Sequence, residues 1–267
     1  MRLLIDDSFA TSVFTAPVRS GWISAPGGLE VSLVPRLNGA AIDADSAALA
    51  PSTALTRLAT SHVVMRDIAA ISQGVGDIAL RTPVRPDEID QSPVRLFDAG
   101  DLAETLARAV LDRFYGITPT TWIRDDTSPE AAHAQVVIVE GAEALREPEG
   151  GFSEDLARAW FILTALPVVT HVALAPRSAP ATAVNLVTGF LAQLRDTGLR
   201  RRGEWIPTLV DREDVPRDRA SAFWAAQRLT LTADDERAVI ALLRDGSANT
   251  FGVNLASVQF ICGSELV

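Results

Sequence analysis

The feature that most constrains the fold is the alternation of short apolar runs with amphipathic segments. Residues 136–139 read Val-Val-Ile-Val and are followed by a turn at Gly141, a helical segment around Trp160 and a second apolar run at 168–174. Runs of this length are typical of buried strands that helices cover on both faces. The pattern therefore predicts an α/β fold with mainly parallel sheets flanked by helices.

The length of 267 residues exceeds the usual size of one hydrophobic core, so two lobes are expected. Three prolines between residues 83 and 93 bracket an acidic stretch and predict a linker. We therefore predict a discontinuous first lobe, residues 1–84 and 175–267, around an inserted second lobe, residues 85–174. Ligands of such sheets bind beyond the carboxyl ends of the strands. A cleft between the lobes is expected at the turns after Ile5, Leu49, Met65, Leu80, Phe97 and Val139.

The composition excludes several classes of protein. Apolar residues make up 48% of the chain and charged residues 22%, which favours large cores over disorder. The net charge of -10 argues against nucleic acid and anionic membranes as partners. All 24 basic residues are arginine, so a lysine Schiff base is excluded. The apolar runs are too short for a membrane span, and the single Cys262 is compatible with a reducing compartment; we expect a cytoplasmic protein.

Three further segments resemble one known family. Residues 45–52 contain the order Asp, apolar residue, Pro, Ser; residues 71–80 contain a spaced Ile, Gly and Leu; and residues 94–111 form a strand, a turn and an apolar helix. Together with residues 136–169 these segments resemble, in order and spacing, the futalosine-pathway enzymes of menaquinone biosynthesis, the chorismate dehydratase-like proteins. That resemblance implies the two-lobed fold of type II periplasmic binding proteins, with a small-molecule ligand in the cleft between the lobes.

The polar positions of this family are altered here. Where the family opens its second-lobe helix with Ser-Arg-Thr-Ser, this chain has Gly100-Asp-Leu-Ala, and the family's Gly-Asp pair becomes Gly141-Ala142. Asp101 is expected to start a capping box and to fill the anion site at the helix N-terminus. Arg81 and Arg95 are the nearby cations expected to offset the acidic residues.

Candidate site residues follow from the predicted cleft. Asp98 and Asp101 are the candidate acid/base groups because they follow a strand of the second lobe. Candidate ligand-binding residues carry hydroxyl, amide or imidazole groups, or bare backbone; they are Ser8, Thr11, Ser12, Ser52, Gln73, Gly74, Gly100, Gly141 and His171. Several have a plain structural alternative: Ser52 is also in position to cap a helix, and His171 to be a hydrogen-bonded core residue.

Two functions remain open. The first is a chorismate dehydratase-like lyase of menaquinone biosynthesis, or a close paralogue with an altered substrate, as the resemblance implies. The second is a solute-binding protein that closes on a small neutral or cationic metabolite without catalysis, which the altered polar positions favour. The histidines His62, His133 and His171 are dispersed, so neither a metal site nor a cofactor is expected. A homodimer is compatible with either function.

Overall fold

The computed structural model of the chain describes residues 1–124, 128, 131, 134–246 and 255–262. His133 lies outside the described residues. The strands in this part of the chain are β1 (Arg2–Asp6), β2 (Glu30–Val34), β3 (Ala47–Pro51), β4 (His62–Ser72), β5 (Ile78–Thr82), β6 (Gln91–Phe97), β7 (Thr118–Ile123), β8 (Val136–Glu140), β9 (Phe152–Asp155), β10 (Val168–Pro176), β11 (Gln227–Arg228) and β12 (Phe260–Ile261). The α-helices are α1 (Ser12–Arg19), α2 (Leu55–Leu58), α3 (Asp101–Val110), α4 (Ala142–Leu145), α5 (Leu156–Thr164), α6 (Ala181–Arg200), α7 (Arg202–Glu213), α8 (Arg217–Ala226) and α9 (Ala233–Gly246).

The first sheet has the strand order β11-β4-β10-β3-β1-β2, and β12 also pairs with β4. β1 runs parallel to β2 and β3. β10 lies between β3 and β4 and is antiparallel to both. All nine residues of β10 are buried. Its nearly continuous apolar sequence is typical of a strand that is covered on both faces.

The second sheet has the strand order β7-β6-β8-β5-β9. β6 is parallel to β7 and β8, whereas β5 is antiparallel to β8 and β9. The two lobes and the α/β class are confirmed, but the sheets are mixed rather than mainly parallel. The reason is that β5 and β10, the first strands after each crossing between the sheets, enter in the direction opposite to their neighbours.

The chain passes between the sheets at other points than those expected. β5 lies in the second sheet, although residues 1–84 were assigned to the first lobe, and β10 lies in the first sheet, although residues 85–174 were assigned to the second. The crossings fall between Ser72 and Ile78 and between Thr164 and Val168. Pro83 and Pro86 instead belong to the loop between β5 and β6, which includes a 3-10 turn at Pro86–Glu88, and Pro93 lies within β6.

Helices cover both sheets. In the second lobe, α3 buries Leu102, Leu106 and Val110, which lie at helical spacing on one face, against a core that includes the fully buried Trp160 of α5. In the first lobe, α6 packs against α1. α9 contacts both α3 and β10, so it bridges the two lobes.

Candidate functional site

A cleft of about 870 Å³ lies between the two sheets. Its walls are the turns that follow β1, β2 and β3 in the first sheet and β6 and β8 in the second. The expectation that the turns after Met65 and Leu80 also line it is wrong. β4 continues past Met65 to Ser72, and β5 runs antiparallel to β8, so its carboxyl end points to the opposite edge of the sheet.

The floor of the cleft holds a buried histidine–aspartate pair. His171 Nε2 lies 2.9 Å from Asp6 Oδ2, and His171 Nδ1 lies 3.2 Å from Thr170 Oγ1. The Thr170 hydroxyl donates its one proton to the Ala70 carbonyl at 3.0 Å, so it accepts a hydrogen bond from Nδ1. In this arrangement both ring nitrogens donate, Nδ1 to Thr170 and Nε2 to the Asp6 carboxylate, which favours the imidazolium form of His171. The second Asp6 oxygen accepts from the Leu37 amide at 2.6 Å, which fixes the pair in place.

Glu140, the last residue of β8, places a second carboxyl group on the floor. Burial raises the pKa of this carboxyl, and the charge of Asp6 raises it further. The Gly100 amide, which donates to Glu140 Oε2 at 2.6 Å, and the charges of His171 and Arg36 act in the opposite direction. Glu140 is thus a cleft carboxyl whose pKa is raised above that of a free glutamate, the direction that suits a general acid/base.

Asp77 adds a buried carboxyl beside the crossing from β4 to β5. Its side chain is nearly inaccessible to solvent, and its carbonyl accepts from the Gly141 amide at 2.7 Å. The pKa of Asp77 is raised to about 7, mainly by burial and also by the charge of Glu140, while the charge of His171 acts in the opposite direction. The charge of His171 therefore favours the ionised form of both Asp77 and Glu140.

Guanidinium groups and carboxylates alternate at the rim. The arginines that line the cleft are Arg19, Arg36, Arg124, Arg146 and Arg212. Each of them contacts a carboxylate of the protein. The sequence-based choice of Arg81 and Arg95 as the cleft cations is wrong. Arg81 donates to Glu143, and the Arg95 guanidinium lies 5.0 Å from the centre of the Phe97 ring.

The structure brings most of the predicted site residues together. Those that line the cleft are Ser8, Ser12, Asp98, Gly100, Asp101, Gly141 and His171. The Ser8 hydroxyl lies 3.4 Å from His171 Nε2. His171 therefore has both of the roles considered for it, since it is a hydrogen-bonded buried residue and also part of the cleft floor.

Four predicted residues lie away from the described cleft lining. Thr11 is fully buried, and its hydroxyl donates to the Asp6 carbonyl at 2.5 Å, so it shapes the turn instead of facing a ligand. Ser52 is also fully buried, and its hydroxyl has no partner among the described residues. Gln73 and Gly74 belong to the crossing behind the cleft, where Gln73 is exposed to solvent.

Two capping predictions are also wrong. Gly100, not Asp101, is the N-cap residue of α3, and Asp101 is its first residue, with a side chain that contacts Arg124 at 2.9 Å. The carboxylate that binds the Gly100 amide comes from Glu140. Ser52 opens a 3-10 turn ahead of α2 and makes no side-chain cap.

Asp6, Glu140 and Arg36 also line the cleft and were not predicted from the sequence. A sequence signal was available for the two acids, because each is the last residue of a buried apolar strand whose carboxyl end meets the cleft. Within the described residues no group of three or more His, Cys, Asp and Glu side chains could hold a metal ion. In the same part of the chain, no helix has both the length and the apolar character to cross a bilayer.

A sequence profile of the family described as Menaquinone biosynthesis matches residues 28–248. The chain belongs to that family. The match covers most of both lobes, including the turns that follow β2, β3, β6 and β8 around the cleft. Among curated proteins, no sequence matches this menaquinone-biosynthesis family member.

Solved structures share its fold. A protein of Archaeoglobus fulgidus superposes with a TM-score of 0.67 at 13% identity, over 91% of this chain and 95% of that one. The alkanesulfonate-binding protein SsuA of Xanthomonas axonopodis pv. citri, bound to MOPS, gives 0.62 at 16% identity over 98% of both chains. A Candida albicans protein described as having the generic periplasmic binding protein fold gives 0.57 at 10% identity, over 96% of this chain and 94% of that one. The family member therefore has the type II periplasmic-binding-protein fold.

Proposed function

We propose that this chain is a carbon–oxygen lyase of menaquinone biosynthesis, of the chorismate dehydratase kind, that removes water from a small cyclic carboxylate held between its lobes. The observation that carries the proposal is the floor of the cleft. There Glu140, a carboxyl with a raised pKa, lies beside the fixed imidazolium of His171. Family membership supports the pathway, and the enclosed cleft supports a small-molecule substrate.

Glu140 is suited to both proton transfers of a dehydration. Its carboxylate takes the proton from a ring carbon as the C–H bond breaks. The carbon–oxygen bond breaks next, and the departing hydroxyl takes that same proton from Glu140 and leaves as water. The substrate thus loses one proton and one hydroxide, and Glu140 returns to its starting state. His171 stays protonated throughout and stabilises negative charge near the reacting atoms.

Asp98 and Asp101 remain proposed alternatives for the acid/base group. Both side chains lie at the rim and are 61% exposed. Asp98 contacts Arg36 and Asp101 contacts Arg124, so each carboxylate has a cationic partner. An exposed, paired carboxylate is a weaker base than a buried one, so we favour Glu140 over both.

The test is an assay of purified protein with chorismate, read by mass spectrometry for a product lighter by one water. We expect turnover by the wild type, and a loss of about a hundredfold or more in Glu140→Gln with substrate binding retained, because general acid–base groups contribute on this scale. Asp98→Asn and Asp101→Asn are the matched comparisons, with the same loss of one charge. A hundredfold loss in one of these and not in Glu140→Gln would move the base to the rim. A wild type that forms no dehydrated product would refute the lyase.

The charge of the cleft favours one alternative. Among the described residues that line it, seven have a carboxyl group, five a guanidinium group, and His171 adds one imidazole. This excess of acid suits a binding protein for a neutral or cationic metabolite. Thermal unfolding midpoints raised by amines or neutral solutes, without any shift from carboxylates and without dehydration, would support that function instead. A cytoplasmic location, compatible with the single Cys262, and a homodimer both remain predictions.

A further inference from the structure

One ion pair spans the cleft from one sheet to the other. Arg36 lies in the turn after β2 of the first sheet, and Asp98 in the turn after β6 of the second. Their side chains form a salt bridge, Arg36 Nη2 to Asp98 Oδ1, although they are 58% and 61% exposed. A pair this exposed contributes little to stability, because water and salt screen it.

Both partners have an unusual backbone. Arg36 has φ 54° and Asp98 has φ 52°, in the left-handed region that non-glycine residues seldom adopt. Two of the four described non-glycine residues with positive φ thus face each other across the cleft. Conformations of this kind cluster at ligand-binding and switch positions, where the surrounding structure holds a side chain in a required place.

Arg36 also has donors to spare, as does Arg19, whose partner among the described residues is Asp7 of the same lobe. Arg146 donates to Glu143 and twice to the Glu213 carbonyl, and Arg124 contacts two carboxylates. Among the described residues, Asp98 is the single hydrogen-bond or ion-pair partner of Arg36. A guanidinium offers five N–H donors in a planar fork, which matches a carboxylate in a bidentate arrangement.

We propose that Arg36 recognises a carboxylate of the ligand, and that Asp98 occupies this position when the cleft is empty. Asp98 is then a built-in competitor: the ligand displaces it from Arg36 and replaces one contact between the lobes by another. The inference rests on the proposed function, since it takes the ligand to be a carboxylate. Arg36 also acts on Glu140 by its charge, so a carboxylate on Arg36 would hold the ligand ring near the proposed acid/base group.

Isophthalate, a ring with two carboxylates, is a suitable probe because it cannot be dehydrated, and isophthalamide is its neutral match. Their affinities are measured by calorimetry for the wild type, Asp98→Asn and Arg36→Gln. The exposed pair Arg85–Asp87, which lies outside the cleft lining, supplies the matched controls Asp87→Asn and Arg85→Gln. Asn tolerates the left-handed conformation at position 98, so the fold is retained.

We expect Asp98→Asn to bind isophthalate about two- to fivefold more tightly, the range that the loss of an exposed ion pair provides. Arg36→Gln should bind it about tenfold or more weakly. Isophthalamide binding and both control variants should stay at the wild-type level. In the double variant of positions 36 and 98, the gain from Asp98→Asn should vanish, because the two residues act through one contact.

Unchanged or weaker isophthalate binding by Asp98→Asn would overturn the inference, and so would an equal gain in Asp87→Asn. Absence of isophthalate binding in all variants would overturn it as well. The chorismate assay separates this outcome from failure of the lyase. If the wild type turns over chorismate but Asp98→Asn does not change the affinity for isophthalate, the role of Asp98 as competitor is refuted and the lyase proposal is retained. If Asp98→Asn binds isophthalate more tightly but the wild type does not turn over chorismate, the lyase proposal is refuted and the role of Asp98 is retained.

Discussion

Gly198 of α6 packs directly against the backbone of α1, which follows the first turn of the cleft. A Cβ atom at this position would lie 1.9 Å from the Val13 carbonyl oxygen and 2.9 Å from the Val13 carbonyl carbon and Cγ2. Because backbone atoms cannot rotate away as a side chain does, the helices must separate by roughly 1 Å or more to reach ordinary contact. Overpacking of this kind costs about 1–3 kcal/mol, against about 1 kcal/mol gained when Ala replaces Gly in a helix.

We therefore expect Gly198→Ala to lower the free energy of unfolding by about 1–2 kcal/mol, because the clash is with backbone atoms and the cost lies in the upper part of that range. Gly189 of the same helix is the matched control, because it is exposed and a Cβ there meets nothing within 4 Å. Gly189→Ala should raise the free energy of unfolding by about 0.5–1 kcal/mol. Urea unfolding, followed by far-UV circular dichroism, gives both values. If the two variants are equally stable, close packing of α6 on α1 does not limit stability and the argument fails.

Two further predictions concern the buried charges. Burial raises the pKa of Asp77 to about 7, above its value of about 3.9 in the unfolded chain, so the folded chain binds more protons between these pH values. The wild type should accordingly lose up to roughly 4 kcal/mol of stability as the pH rises from about 4 to about 7. Asp77→Asn, whose free energy of unfolding is compared with that of the wild type at about pH 5 and about pH 8, should not show this loss. Parallel dependence of the two free energies on pH would contradict the prediction. Asp6→Ala, which leaves the His171 imidazolium without its partner, should cost about 3–5 kcal/mol in urea unfolding. Asp43→Ala, which breaks an exposed pair with Arg2, should change stability by less than about 0.5 kcal/mol, and similar losses in both variants would rule out a special role for the buried pair.

The strongly apolar strands could be predicted from the sequence, and the polar edge strand β9 could not. The runs that became β1, β3, β8 and β10 are buried along most of their length, so composition alone marks them. β9 has the sequence Phe-Ser-Glu-Asp and lies at the edge of the second sheet. Because an edge strand is partly exposed to solvent, its side chains can be polar and its sequence lacks an apolar run. Pro83 and Pro86 mark a loop, but a loop within one lobe and a linker between lobes have the same composition.

The candidate site was predictable in part for a similar reason. Turn positions after strands follow from the order of the elements, so Ser8, Asp98 and Gly141 were found. Which cation meets which carboxylate depends on how the two lobes face each other. Arg36 and Asp98 are far apart in the sequence, and their contact follows from that tertiary arrangement alone.

The position of β10 has a consequence for the order in which the protein matures. The second sheet is assembled from residues 78–155 without interruption, so it can close while the chain is still being synthesised. The first sheet keeps a vacancy between β3 and β4 until Val168 and the residues after it emerge. A nascent chain truncated before that point presents two unpaired edges, and we expect it to recruit foreign strands and aggregate.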